Sequence, residues 1–318
     1  MRTLPGTDLT VSELCLGTAG FGSSIEEATA FSLLDAFTDR GGNFIDTARI
    51  YADGLGEEII GKWLAAGGRS KAIVATKGGH YDHRGFAFSR VTRTDVIADV
   101  EVSLRKLRTD CIDFYWLHRD NTALPVGEIA VFCNDLVRDG KIRAWGISNW
   151  TLSRADEACK LGAKAVSNRF SLAHVESDGS ADENGLVTTD TALYRWHIES
   201  GIPLVPYSAL AFGFFEKLAA QNAPVADGGI AVSDLPKRLQ SLLTPENARR
   251  YAQILQICAK YGCSVTDCTV GFHFAQPFPV FPVIAARTSA QLESLLAAGE
   301  YPFDPDRFSD ILSYYRFV

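Results

Sequence analysis

Four side chains of different chemistry stand at or just beyond the ends of short apolar runs: Asp46, Tyr51, Lys77 and His118. Each has an ordinary reading by itself. Asp46 would be a helix N-cap, Tyr51 a packed aromatic, Lys77 a solvated rim charge and His118 a satisfied core histidine. Together they suit one piece of chemistry. Hydride attack on a carbonyl builds an alkoxide, which needs a proton as it forms. A phenol with a pKa of about 10 is a weak acid at neutral pH. An adjacent ammonium stabilises the phenolate and lowers that pKa, which is the role open to Lys77 beside Tyr51. A carboxylate such as Asp46 would keep the ammonium charged and in place. A neutral histidine, His118, would donate to the carbonyl oxygen and orient it.

Such a set works only if the chain brings it together. Eight short apolar runs read as strands, at 14–17, 43–46, 72–77, 112–117, 142–147, 164–167, 203–206 and 280–284. Nearly continuous apolar runs are expected of parallel strands covered on both faces. Helical patterns alternate with them, at 26–40, 57–66, 95–108, 126–138, 245–261 and about 289–298, and a further helix starts near 151. The segment 245–261 carries Thr244 as N-cap, Pro245 at the first helical position and Gly262 as a stop. Eight such repeats predict a (β/α)₈ TIM barrel, one domain over 1–318, with long loops after the strands at 78–94 and 208–244. In that fold the strand C-termini converge on one mouth. Pro5-Gly6 and Thr7-Asp8 mark an N-terminal β-hairpin that would plug one end. The alternative is an open doubly wound sheet, but the glycines at 17, 20 and 22 lack the G-x-G-x-x-G spacing.

Bulk properties exclude several classes. A net charge of −7 without a basic stripe argues against nucleic acid as a partner. No apolar stretch reaches the roughly 18 residues of a membrane span, and no basic start followed by an apolar run marks a signal peptide, so a cytoplasmic location is expected. The 7 cysteines are scattered without a C-x-x-C pair, which argues against a disulfide framework or a zinc ribbon. Cys15, Cys111 and Cys268 lie in apolar contexts and are expected to be buried and inert. His80 and His83 form an H-x-x-H without a convincing third ligand, so no metal is expected.

The motifs in sequence order resemble the aldo-keto reductases over essentially the whole chain. The matching stretches are 42–48 around Asp46 with Tyr51, 75–77 ending at Lys77, and 112–118 ending at His118. They continue with Gly146-Ile147-Ser148-Asn149, Pro206-Tyr207-Ser208, and 286–292 around Arg287 and Gln291. The resemblance implies a catalytic set of Asp46, Tyr51, Lys77 and His118. It implies Ser148 and Asn149 on a nicotinamide carboxamide and Tyr207 stacked on the nicotinamide ring. Ser208, Leu210 and Gly213 would cover the pyrophosphate, with Arg287 and Gln291 at the adenosine end. A helix opening after the last strand is independently suited to an anion, and Arg287 would add a guanidinium there.

Departures bear on the cofactor. The family usually has Gln after strand six where this chain has Ser167, and the adjacent Asn168 is the candidate to compensate. Phe212 stands where many relatives have Arg. Ala285 and Ala286 replace a Lys and a Ser, and Ser294 and Leu295 a Glu-Asn pair. Arg287 favours NADPH, with NADH as the alternative. A small carbonyl compound is the expected partner, read at the mouth by Phe21, Arg49, Arg119, Asn121 and Trp150, with His80, Tyr81, Asp120, Phe212, Phe214 and the tail at 314–316 nearby. A sugar or polyol carbonyl suits a polar rim, and a small aromatic aldehyde suits the aromatic walls. Arg119 and Asp120 could also pair with each other. The physiological direction, reduction or oxidation, and the oligomeric state are not legible. Two other classes are a cofactor-binding regulatory subunit on the same barrel and a metal-dependent barrel hydrolase or lyase.

Overall fold

A computed structural model of the protein describes residues 1–81, 89–226, 229–232, 234–302, 304 and 306. His83 and the tail at 314–316 lie outside the described residues. Strands β1 (Arg2–Thr3) and β2 (Thr10–Val11) pair antiparallel as the expected hairpin. The parallel sheet follows with β3 (Cys15–Gly17), β4 (Phe44–Asp46), β5 (Ile73–Gly78), β6 (Ile112–Leu117), β7 (Ile142–Ser148) and β8 (Val166–Ser167). A small antiparallel pair, β9 (Val225–Ala226) and β10 (Gly229–Ile230), lies in the long loop. The last strand, β11 (Val283–Ile284), returns to pair with β3, giving the order β11-β3-β4-β5-β6-β7-β8.

The sheet closes through residues 203–206. Leu204 bridges Val166 on one side and Val280 on the other, both parallel. Val205 N–H donates to Val166 O at 2.8 Å, and Phe281 N–H donates to Leu204 O at 2.9 Å. Pro203, Pro206, Pro279 and Pro282 have no N–H to give. The expected strands at 203–206 and 280–284 are therefore reduced to bridges and a two-residue ladder, but the barrel is closed and the open-sheet alternative is excluded.

Helices cover the outside: α1 (Glu27–Asp39), α2 (Leu55–Ala65), α3 (Arg93–Leu107), α4 (Val126–Arg138), α5 (Leu152–Lys160), α6 (Thr191–Ser200), α7 (Phe214–Ala220), α8 (Pro245–Tyr261), α9 (Val265–Phe274) and α10 (Ser289–Glu300). The signals on α8 act as read: the Thr244 hydroxyl accepts from Asn247 N–H, and Gly262 ends the helix at φ +68°. Helix α9 is buried at every position from Cys268 to His273, so no 3.6-residue stripe marks it.

Two hydrophobic cores result. One fills the space between sheet and helices. The other fills the barrel and includes Phe44, Ala75, Phe114, Trp116, Ala144 and Ala165. Leu4, Leu9 and Val11 of the hairpin join this inner core, so the hairpin is the expected plug. Gly146 makes room for Trp116, since a Cβ there would meet the indole at 2.6 Å. Side chains alternate along a strand with period two. Two residues beyond the inward Phe44, Ala75, Trp116, Gly146 and Ala165 come Asp46, Lys77, His118, Ser148 and Ser167. The polar mouth is the top layer of the same inward faces.

Of the three cysteines expected to be inert, Cys15 and Cys268 are buried, whereas Cys111 is half-buried. Two buried histidines give the fold an acid limit. Burial pushes His197 and His273 down to about 4, although each holds a backbone carbonyl, Ile202 O and Ala209 O. The unfolded chain takes up those protons from the ordinary value of 6.5 downward and the folded chain does not. Stability contributed by the neutral rings is therefore present above that value and lost as pH falls. His273→Gln should reduce the slope of unfolding free energy against pH between 6 and 4.5 by up to about 1.4 kcal/mol per pH unit. Urea titrations across that range measure it, and an unchanged slope would show that His273 is protonated in the fold.

Candidate active site

The four residues read as a set lie together at the mouth. Asp46 ends β4 and Lys77 lies on β5, whose register places Asp46 opposite Ala75 and Lys77 one layer higher. Lys77 Nζ donates to Asp46 Oδ2 at 2.5 Å, to Thr47 O at 2.8 Å and to Tyr51 Oη at 3.3 Å. An ammonium has three hydrogens, and all three are directed. Because Tyr51 Oη accepts from Lys77, its own hydrogen is free to point into the mouth. His118 follows β6, its N–H held by Gly78 O at 2.8 Å. Its ring stands edge-on to Tyr51, with centroids 6.2 Å apart, and its Nδ1 is buried without a protein partner.

Electrostatics refine the expected roles. Burial would discharge Lys77, but Asp46 and then Tyr51 hold its pKa above the ordinary value. Burial also raises Tyr51, with Asp46 adding to the rise, and the opposing pull of Lys77 and Arg119 does not cancel it. The sequence reading expected a lowered phenol. Desolvation outweighs the ammonium here, so the phenol is held in its protonated form. Burial drives His118 well below its ordinary value, helped by Lys77, Arg119 and His80, so the imidazole is neutral as expected.

The candidate cofactor residues fall into two groups. At the end expected for the nicotinamide, Ser148 Oγ donates to Ser167 O at 2.8 Å and accepts from Asn149 Nδ2 at 3.0 Å. Asn149 Oδ1 accepts from Tyr207 Oη at 2.6 Å, which fixes the Tyr207 ring. Burial pushes that phenol up to about 12. Asn168 Oδ1 accepts from Asn149 N–H, and its Nδ2 donates to Trp150 O. Its amide thereby shapes the Asn149 turn (φ +64°).

At the other end, Ser208, Ala211, Phe212 and Gly213 all have positive φ, of 52°, 46°, 57° and 70°. Leu210 and Gly213 close one turn of this loop through Gly213 N–H to Leu210 O at 2.8 Å. Arg287 is exposed at the start of α10, where Thr288 caps the helix and Gln291 Oε1 accepts from Arg287 N–H at 2.8 Å. Two cations missed by the sequence reading lie near it. Burial lowers Lys217 against the opposing pull of Glu216, and Arg238 and Arg287 lower it further. Arg238 lies over the Phe212 ring at 5.0 Å. Their only signal in the sequence was membership of the long loop after residue 208.

The candidate substrate residues divide more sharply. His80 joins the mouth, its ring 4.7 Å from that of His118. Arg119 is buried, donates to His118 O at 2.9 Å and lies 5.6 Å from the Tyr81 ring. It does not pair with Asp120, which instead takes a bidentate contact from Arg154 at 2.6 and 2.8 Å. Trp150 is fully buried and donates to Arg119 O at 3.1 Å, so it backs the mouth rather than lining it. Phe21 is equally buried. Asn121 holds Val91 O and Ala123 N–H, a loop brace. Arg49 is half-buried and lies 3.7 Å from Asp99.

The sequence matches the model of the "Aldo/keto reductase family" over residues 13–316. It is 31% identical to an uncharacterized oxidoreductase, YrpG, of Bacillus subtilis, covering 94% of this chain and 91% of that one. It is 27% identical to an aryl-alcohol dehydrogenase [NADP(+)] of Phanerodontia chrysosporium, covering 95% and 82%. In fold it is similar to the glycerol dehydrogenase AKR11B4 from Gluconobacter oxydans, with a TM-score of 0.76, 24% identity and coverage of 98% and 95%.

The buried ion pair sets a stability test. Asp46→Asn leaves a buried ammonium without its counter-charge and should cost about 3–5 kcal/mol. Replacing both partners, with Asp46→Asn and Lys77→Met, should recover much of that loss. Denaturant midpoints at pH 7 measure both, and a single variant as stable as the parent would mean that water reaches the pair.

Proposed function

Since this chain belongs to the aldo/keto reductase family, we propose that it is an NAD(P)H-dependent oxidoreductase that reduces an aldehyde or ketone to the alcohol, with Tyr51 as proton donor. The observation that carries this reading is the Lys77 ammonium, held by Asp46 and directed at the hydroxyl of a still-protonated phenol.

The nicotinamide cofactor, when bound, supplies the hydride. The residues at the mouth fit such a group. Tyr207 is held as a fixed aromatic face, and the Ser148-Asn149 pair lies beside it. The cations Lys217, Arg238 and Arg287, near the start of α10, suit a phosphate-bearing end. Arg287 and its cationic neighbours support NADPH over NADH. His118, neutral and buried, donates to the substrate carbonyl oxygen and positions it against Tyr51. Tyr51 gives up its proton as negative charge grows on that oxygen, and Lys77 stabilises the phenolate left behind. Arg119, with Nε buried and unpaired, adds a positive potential over the same oxygen. His80 and Tyr81 form an aromatic wall, which together with the aryl-alcohol dehydrogenase relative supports an aromatic aldehyde. The glycerol dehydrogenase likeness leaves a polyol-type carbonyl as the second substrate class to assay.

Tyr51→Phe should lower kcat for aldehyde reduction by about 10²–10⁴-fold while leaving the NADPH Kd, read from tryptophan quenching, unchanged. Full activity in that variant would overturn the assignment. Reduction needs the protonated phenol, and the Tyr51 pKa lies above its ordinary 10.0. The rate should therefore stay flat through neutral pH and fall only on the alkaline side of that value. Arg287→Ala should weaken NADPH binding by about ten- to a hundredfold, the loss of a charge-assisted hydrogen bond, and NADH far less. Equal weakening of the two would remove Arg287 from the 2′-phosphate.

A further inference from the structure

Far along the chain from the mouth residues, three thiols converge. Cys258 lies on α8, Cys263 directly follows the Gly262 that ends that helix, and Cys268 lies on α9. They are five residues apart in sequence, which hides them from any C-x-x-C reading. The reversal at Gly262 folds α8 back against α9 and brings the sulfurs together. Cys258 Sγ and Cys263 Sγ each lie 3.8 Å from Cys268 Sγ, and all three sulfurs lie within 4.8 Å of one another. Sulfurs bound at about 2.3 Å to a tetrahedral zinc ion stand about 3.8 Å apart along each edge. Two of the three spacings already match.

The surroundings suit an ion better than core filling. Buried free cysteines behave as small hydrophobes, but Cys258 and Cys263 are half-exposed while Cys268 is buried. The cluster therefore has a closed floor and an open side. Cys268 is the fourth residue of α9, and its sulfur is the shared neighbour of the other two. The nearby Asp267 carboxylate is occupied in a capping box with Ser264 N–H, so it does not compete for the position.

We propose that Cys258, Cys263 and Cys268 form a binding site for one thiophilic divalent cation of the zinc class, with water in the fourth position. Binding exchanges thiol protons for the metal, with no change of oxidation state. The ion would fasten α8 to α9, which in turn carries His273 and its hold on the 208–213 loop through Ala209 O. Nothing in this site depends on the reductase reading.

Cobalt(II) added under nitrogen to the fully reduced full-length protein is the probe. The expected result is a thiolate-to-cobalt charge-transfer band that saturates at one ion per chain and is abolished by zinc(II). Cys258→Ser and Cys263→Ser, both at half-exposed positions, should each weaken cobalt by at least tenfold, since loss of even a ligand's supporting partner costs on the order of 10–100-fold. Cys111→Ser, at a half-buried cysteine outside the cluster, should leave the titration unchanged. Absence of the band, or an identical titration for Cys263→Ser, would overturn the proposal. So would a chain that loses two thiols to a disulfide in air and, once re-reduced, binds no cobalt.

Discussion

An ammonium taken out of water keeps its charge only if something replaces its hydration. For Lys77 the replacement is complete: one carboxylate oxygen, one backbone carbonyl and one phenol oxygen meet its three hydrogens. Much of the mouth follows from that saturation. It joins the ends of β4 and β5, it fixes which way the Tyr51 hydroxyl can turn, and it keeps His118 neutral by adding a positive neighbour. The pair is also exposed to error. A buried charge left without its partner is costly, so the proposed chemistry and the stability of the barrel top rest on the same three contacts.

Backbone strain is distributed in the same place. Of the eight non-glycine residues with positive φ among those described, six flank the candidate site: Ala52, Asp53, Asn149, Ser208, Ala211 and Phe212. Each left-handed L-residue costs on the order of 1 kcal/mol. Such residues persist only where surrounding contacts over-determine them. Around Asn149 those contacts are visible: Asn168, Tyr207 and Val187 all hold it. The scaffold supplies rigidity so that the strand ends can be irregular.

Local signals in the sequence carried most of the fold. Thr244, Pro245 and Gly262 bounded α8 because capping is decided by adjacent residues. Continuous apolar runs located the barrel strands because both faces are covered. The strand pair interrupted by prolines came out shorter than read, since a missing donor ends a ladder even when the side chains pack. The four mouth residues were legible because a barrel sends every strand end to one place. Partner choice was not. Asp120 prefers Arg154 to its neighbour Arg119, Trp150 turns its indole inward, and the phenol's desolvation exceeds the ammonium's pull. Each depends on what other elements bring within a few ångströms, and spacing along one chain does not encode that. The three thiols at the α8–α9 turn were missed for the same reason.

The barrel's closing segment has a consequence of a different kind. Most neighbouring strands of this barrel are laced by regular ladders, but at residues 203–206 the circle is fastened by Leu204 and Val205 between prolines. Such a seam resists capture by another chain's edge strand, because it presents few donors to pair with. The prolines still accept: Pro203 O takes Val166 N–H at 3.1 Å and Pro206 O takes Val283 N–H at 3.0 Å. The residues directly beyond that seam are Tyr207 and Ser208. Tyr207 is thus mounted beside the proline seam, while the ion pair is anchored on β4 and β5.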